Sequence, residues 1–164
     1  MLFILAISLA IYTYLGGFKE VELRHVAIYD IQIMGKSYKG KTESDILRKM
    51  FLEFKEMSLE ENRGPLVMLY YQDVDGETDQ IDCFVGLLIN DEKMTNSEDL
   101  EIRSFKTQGV IRARFDGHRL VTPNPGRVQS AAREFATANH HDMQNIFVEK
   151  YFSNNAIEVD FLLN

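Results

Sequence analysis

The chain has 164 residues, 45% of them hydrophobic, a net charge of −7 and one cysteine. That length suits one domain with a sizeable core. The basic residues are scattered, which argues against a duplex-binding surface, and a lone cysteine excludes both an internal disulfide and a cysteine-based zinc site.

The first 18 residues, "MLFILAISLAIYTYLGGF", carry no charged side chain. As a helix they would span roughly 27 Å, slightly less than a hydrocarbon core of about 30 Å. The basic start and small-residue cleavage site of a secretory signal are missing, and Tyr12-Thr13-Tyr14 resembles an interfacial aromatic belt. The segment is therefore expected to be an N-terminal membrane anchor, the alternatives being a cleaved signal or a buried piece of the fold. Lys19 and Arg24 are interleaved with Glu20 and Glu22, so the charges set no orientation.

Beyond the glycines, "FKEVELRHVAIYDIQIMGKSY" alternates as two strands, or one bent strand, to Gly35. Thr42-Glu43-Ser44-Asp45 reads as a capping box with Thr42 at the cap. Ile46, Leu47, Met50, Phe51, Phe54 and Met57 then share one helical face. "LVMLYYQ" and "IDCFVGLLIN" are strands joined by the turn "DVDGETDQ". That turn matches part of a calcium loop, but Tyr71 stands at its first ligand position and strands flank it where helices are required. Cys83, inside the second strand, reads as a small buried hydrophobe rather than a reactive thiol.

After the loop "DEKMTNSEDLE" the order begins again. "IRSFKTQGVIRARFDGH" is strand material, and Asn124-Pro125 is a cap with proline at the first helical position. Val128, Ala131, Ala132, Phe135 and Ala136 form a second stripe, ending near Asn139. "IFVEKYF" and "AIEVDFLL" are the last strands, the latter with Glu158 and Asp160 expected on a wet face. His140-His141-Asp142, which could be taken for metal ligands, fits a helix C-terminus better. The halves, about 19–90 and 101–164, share one order of elements at an offset near 80: Phe54 matches Phe135, Tyr71 matches Tyr151, and Glu149 falls on Leu69. The class expected is α+β, an antiparallel sheet with two helices and a pseudo-two-fold cleft.

"RGPLVMLYYQD", "CFVGLLI" and "FVEKYF…AIEVDFLL" resemble the GyrI-like domain, the effector-binding module of BmrR/Rob-type multidrug-sensing regulators. The resemblance covers residues 19–164, in a membrane-anchored, stand-alone form. It implies an aromatic cleft with an acidic residue that attracts lipophilic cations. The family's Glu-x-Tyr element matches Glu149-Lys150-Tyr151, with Phe147 on the same strand face and Tyr71 added through the internal repeat. Two departures stand out: there is no tryptophan to build an aromatic cage, and no helix-turn-helix to read DNA.

The residues hold no nucleophile motif, phosphate-cradling loop, cofactor signature or metal-ligand spacing. The function expected is a membrane-tethered binding module for small amphipathic or cationic molecules, without catalysis. The alternatives are a protein- or peptide-interaction module using the same cleft and, less favoured, a GyrI-like hydrolase in which Glu149 and Tyr151 serve as base and orienter.

Overall fold

The computed structural model describes residues 13, 21–28, 30–60, 63–71, 79–89, 99–115, 124–154 and 156–164. Two helices and eight strands are described in full: β1 (Glu22–Val26), β2 (Asp30–Lys41), α1 (Asp45–Met57), β3 (Leu66–Tyr70), β4 (Gln80–Leu88), β5 (Glu101–Lys106), β6 (Val110–Phe115), α2 (Pro125–Ala138), β7 (Met143–Tyr151) and β8 (Ile157–Leu163). All eight strands form one antiparallel sheet in the order β1-β6-β8-β7-β3-β4-β2-β5. The expected α+β architecture is present.

The helices start where short polar side chains satisfy free N–H groups. Asn124 Oδ1 accepts from Gly126 N–H at 2.9 Å, ahead of Pro125. For α1 the cap is Ser44, whose Oγ accepts from Ile46 N–H at 3.2 Å, not Thr42 as the capping box suggested. Thr42 is still tied to the sheet, its N–H donating to the Asp79 carbonyl at 2.9 Å. The helix therefore begins two residues later, and Ile46, counted in the apolar stripe, stands 65% exposed. At the other end of α2, Asn139 caps the helix as expected, its amide donating to the Phe135 carbonyl at 2.8 Å.

Both helices cover one face of the sheet. Leu47 and Phe54 from α1 and Ala132 and Ala136 from α2 pack there against Met68, Tyr70, Cys83, Val85, Ile111, Phe147 and Phe161. Cys83 is fully buried, and burial lifts its thiol to about 12, as befits an inert hydrophobe. The opposite face carries a second cluster around Ile33, Val67, Leu69, Phe84, Val148 and Leu162.

That second face holds an arrangement the alternation of β8 did not foretell. Glu158 and Asp160, expected in water, are buried. Arg112 holds Asp160 with two bonds of 2.7 and 2.8 Å, Arg114 reaches Glu158 at 2.9 Å, and Lys150 bonds Asp160 while lying 4.0 Å from Glu158. Both carboxylates are paired with cations on the adjacent strands, and Arg114, the most exposed of the five, keeps contact with solvent, so the buried charges are compensated.

The halves also exchange strands. β1 precedes the first helix but pairs with β6, beside β8, while β5 follows β4 yet pairs with β2. Each half therefore ends on a strand taken from the other.

Candidate functional site

The pair β3–β7 lies at the centre of the sheet, with Met68 opposite Glu149, Tyr70 opposite Phe147 and Leu66 opposite Tyr151. Residues opposite one another in a ladder share a face, so Phe147, Glu149 and Tyr151 all point toward the helices, as the alternation of β7 predicted. Glu149 Oε2 accepts two hydrogen bonds there, from the Tyr151 hydroxyl at 2.5 Å and the Tyr70 hydroxyl at 2.9 Å. Tyr70 stacks on Phe147 with ring centroids 4.6 Å apart and planes 13° apart. Its hydroxyl also lies 3.7 Å from Met68 Sδ.

Tyr71 does not join the group. It points to the other face, where its hydroxyl accepts from Arg103 Nη1 at 2.8 Å and its ring neighbours Phe105. The cause is parity. Leu66 pairs with Tyr151 and Tyr70 with Phe147, so the two-fold between these strands relates residues 81 apart, not 80. Tyr70 then answers to Tyr151 and Met68 to Glu149. A slip of one residue moved the prediction to the wrong side of the sheet. The signal for Tyr70 was already present, since Phe54 and Phe135 are also 81 apart.

Glu149 borders a cavity of about 300 Å³ beneath α2, also lined by Ala113, Val128, Phe147, Tyr151, Val159 and Phe161. This size is at the lower end of small-molecule pockets. The cavity is not a cleft between the halves: apart from Val21, which leads into β1, its walls come from β6, α2, β7 and β8. Its origin is visible in the helices. At the offset of 81, Met50 and Phe51 of α1 become Ala131 and Ala132 of α2. The second helix brings less side-chain volume to the sheet, and the space left over is the cavity.

Burial in this apolar setting raises the Glu149 carboxyl above its ordinary range, opposed by the hydrogen bonds from Tyr151 and Tyr70. Burial, then the neighbouring carboxylate, pushes the Tyr70 hydroxyl well above its usual value. Tyr70 therefore keeps its proton, and both tyrosine hydroxyls donate to the same oxygen. Oε1 accepts from no described side chain, leaving one carboxylate oxygen for an occupant of the cavity.

Two sequence readings fall outside the described residues: the anchor on residues 1–18, of which only Thr13 is described, and most of the calcium-loop resemblance, on 72–78. Among the described residues no helix is long and apolar enough to cross a membrane.

No family model matches the sequence, and no curated protein matches it. Solved structures do resemble the fold. A hydrolase from Listeria innocua aligns with a TM-score of 0.58 at 9% identity, covering 93% of this chain and 98% of that one. The EcmrR C-terminal domain aligns with a TM-score of 0.57 at 11% identity, covering 88% and 97%. EcmrR in its complex with DNA aligns with a TM-score of 0.58 at 14% identity, covering 94% of this chain and 63% of that one.

Proposed function

On this GyrI-like fold, we propose that the chain is a binding module for small amphipathic or cationic molecules, tethered to a membrane by its first 18 residues. The observation that carries the reading is Glu149, a carboxylate with one oxygen fixed by two tyrosines and the other left to an apolar cavity. Burial works against the ionised carboxylate there, and the two tyrosine hydroxyls work for it, while Arg114 and Gln129 also border the cavity. A lipophilic cation supplies a counter-charge, and the rings of Phe147 and Tyr151 add favourable faces for it. The fold is shared with the EcmrR C-terminal domain. A volume of about 300 Å³ is the size of a small molecule.

Hydrolysis is the second reading. The Listeria innocua neighbour is described as a hydrolase, and Glu149 Oε1 has the freedom to accept a proton from a water while Tyr151 orients the carboxylate. Both readings use the same residues and part on one experiment. A fluorescent lipophilic cation is titrated against wild type and Glu149→Gln at fixed ionic strength. The binding module loses affinity roughly 5- to 150-fold in the variant, corresponding to about 1–3 kcal/mol for a charge-assisted contact, and leaves the probe intact. Equal affinities, or no binding by either protein, remove the cation reading. The tether is tested separately, by removing residues 1–17: the remainder should melt cooperatively and stay out of the membrane fraction. Aggregation of that variant would make the segment part of the fold.

A further inference from the structure

Two carboxylates of the second half leave water in different company. Asp160, on the face away from the helices, is bonded to Arg112 at 2.7 and 2.8 Å and to Lys150. Glu149, on the helix face, is held by hydroxyls, Tyr151 at 2.5 Å and Tyr70 at 2.9 Å. Among the described residues, few titratable or charged groups face it from the elements packed around it. β3 brings Tyr70 and β7 brings Tyr151. β6 brings Arg114 to the border of the cavity, where its guanidinium is bonded to Glu158 at 2.9 Å. α2 contributes the uncharged Gln129, and β8 the apolar Ile157, Val159 and Phe161. A hydroxyl donor favours a carboxylate without cancelling its charge, so burial leaves the empty Glu149 carboxyl holding its proton above the ordinary carboxylate range.

We propose that the site exchanges a proton for its ligand: a lipophilic cation entering the cavity displaces the proton of Glu149 and pairs with the carboxylate left behind. The O–H bond breaks, its electron pair stays on the carboxylate, and the proton passes to solvent; nothing is oxidised or reduced. Carboxyl and proton are neutral together, as are carboxylate and cation, so neither state buries an uncompensated charge. The ligand class follows from the sign of the exchange. A permanent cation, a quaternary ammonium or phosphonium, is held more tightly as pH rises. A neutral amphiphile, which fits only the protonated carboxyl, is held less tightly. Loading at neutral pH and discharge in acid are then built into one side chain. This inference rests on the cation reading of Glu149, and its test separates the two.

The test is calorimetric titration of the full chain with methyltriphenylphosphonium, a cation that cannot itself titrate, from about pH 5 to about pH 8 in buffers of different ionisation enthalpy. The part of the heat that varies with the buffer counts the protons released per cation bound. In wild type, release should be largest at the acidic end and fall toward zero at the alkaline end. Affinity should rise with pH, by up to about tenfold per unit, wherever protons are released. Glu149→Gln should release none, and its weaker affinity should not change with pH. Tyr70→Phe keeps the ring that stacks on Phe147 and removes one donor to the carboxylate, so its release should extend to higher pH than in wild type. This second variant decides the matter where Glu149→Gln binds too weakly to titrate. Cation binding by wild type without proton release, release that persists in Glu149→Gln, or an unmoved pH range in Tyr70→Phe overturns the exchange. The loss of affinity in Glu149→Gln then still judges the cation reading by itself. Failure of wild type to bind the cation at any pH overturns both.

Discussion

The two helix-on-sheet halves of this molecule follow one plan and fill it differently. On the helix side the first half presents Leu66, Met68 and Tyr70, all buried, under the large side chains of α1. The second presents Phe147, Glu149 and Tyr151 under the alanines of α2, and a cavity remains. The other face shows a matching contrast. Following the ladders outward from β3–β7, Arg112 opposite Asp160 takes the place of Gly35 opposite Gly86, Glu158 that of Phe84, and Lys150 that of Leu69. Where the first half brings two glycine backbones together, the second carries a five-residue charge network. One half is thus a packed scaffold, and the other holds its polar groups where a ligand site requires them.

This contrast is most easily broken through the helix phenylalanines. Phe54→Ala should lower stability by about 3–5 kcal/mol in urea titrations, because Phe54 is fully buried in a filled core. Phe135→Ala, at the equivalent but half-buried position, should lose about 1–2 kcal/mol, since less surface is removed from the core. Equal losses would mean that the two helices pack alike. Next comes the network. Asp160→Asn should destabilise by about 3 kcal/mol, because Lys150 and Arg112 lose their shared buried carboxylate. Its first-half counterpart should be as unforgiving for a steric reason. A Cβ at Gly86 would lie 2.2 Å from the Met34 carbonyl oxygen, so Gly86→Ala must shift the backbone.

Filling the cavity sharpens the comparison at small expense to the fold. Val128→Phe gives α2 more of the bulk that α1 carries, and it should weaken ligand binding at least tenfold while changing the melting temperature little. The smallest expected effect is on pH dependence. The folded-state pKa of Glu149 lies above the ordinary 4.5. Its contribution to stability is therefore complete below about 4.5 and falls as pH rises through the raised value, because the folded state holds the proton longer than the unfolded state. Glu149→Gln should remove that decline, with stability at neutral pH unchanged or slightly higher. A stability curve of the same shape in both proteins would show that the carboxyl is well solvated.

Much of this was legible in the residues. The period-two run of β7 placed Phe147, Glu149 and Tyr151 on one face, and the apolar periodicity gave both helices. Three things were not legible, for different reasons. The helix-side role of Tyr70 was lost because Tyr70 and Tyr71 are adjacent, and a repeat offset read from sequence is uncertain by the one residue that reverses a strand's faces. The burial of Glu158 and Asp160 was missed because alternation shows which residues share a face, not whether neighbouring strands bring Arg112, Arg114 and Lys150 to them. The exchange of β1 and β5 depends on pairings between distant segments, about which local periodicity is silent.

That exchange has a consequence in time as well as space. During synthesis β1 emerges first, yet its partner β6 follows only after the whole first half. At roughly 5–20 residues per second the wait is several seconds. Meanwhile β2 has β4 on one side and an open edge on the other until β5 arrives. A nascent first half is therefore a sheet fragment with unpaired backbone exposed, the kind of edge that recruits other chains. Long-range closures of this sort also slow folding. A ribosome-stalled chain ending near residue 98 should accordingly bind holdase chaperones more strongly than one extended past Phe115.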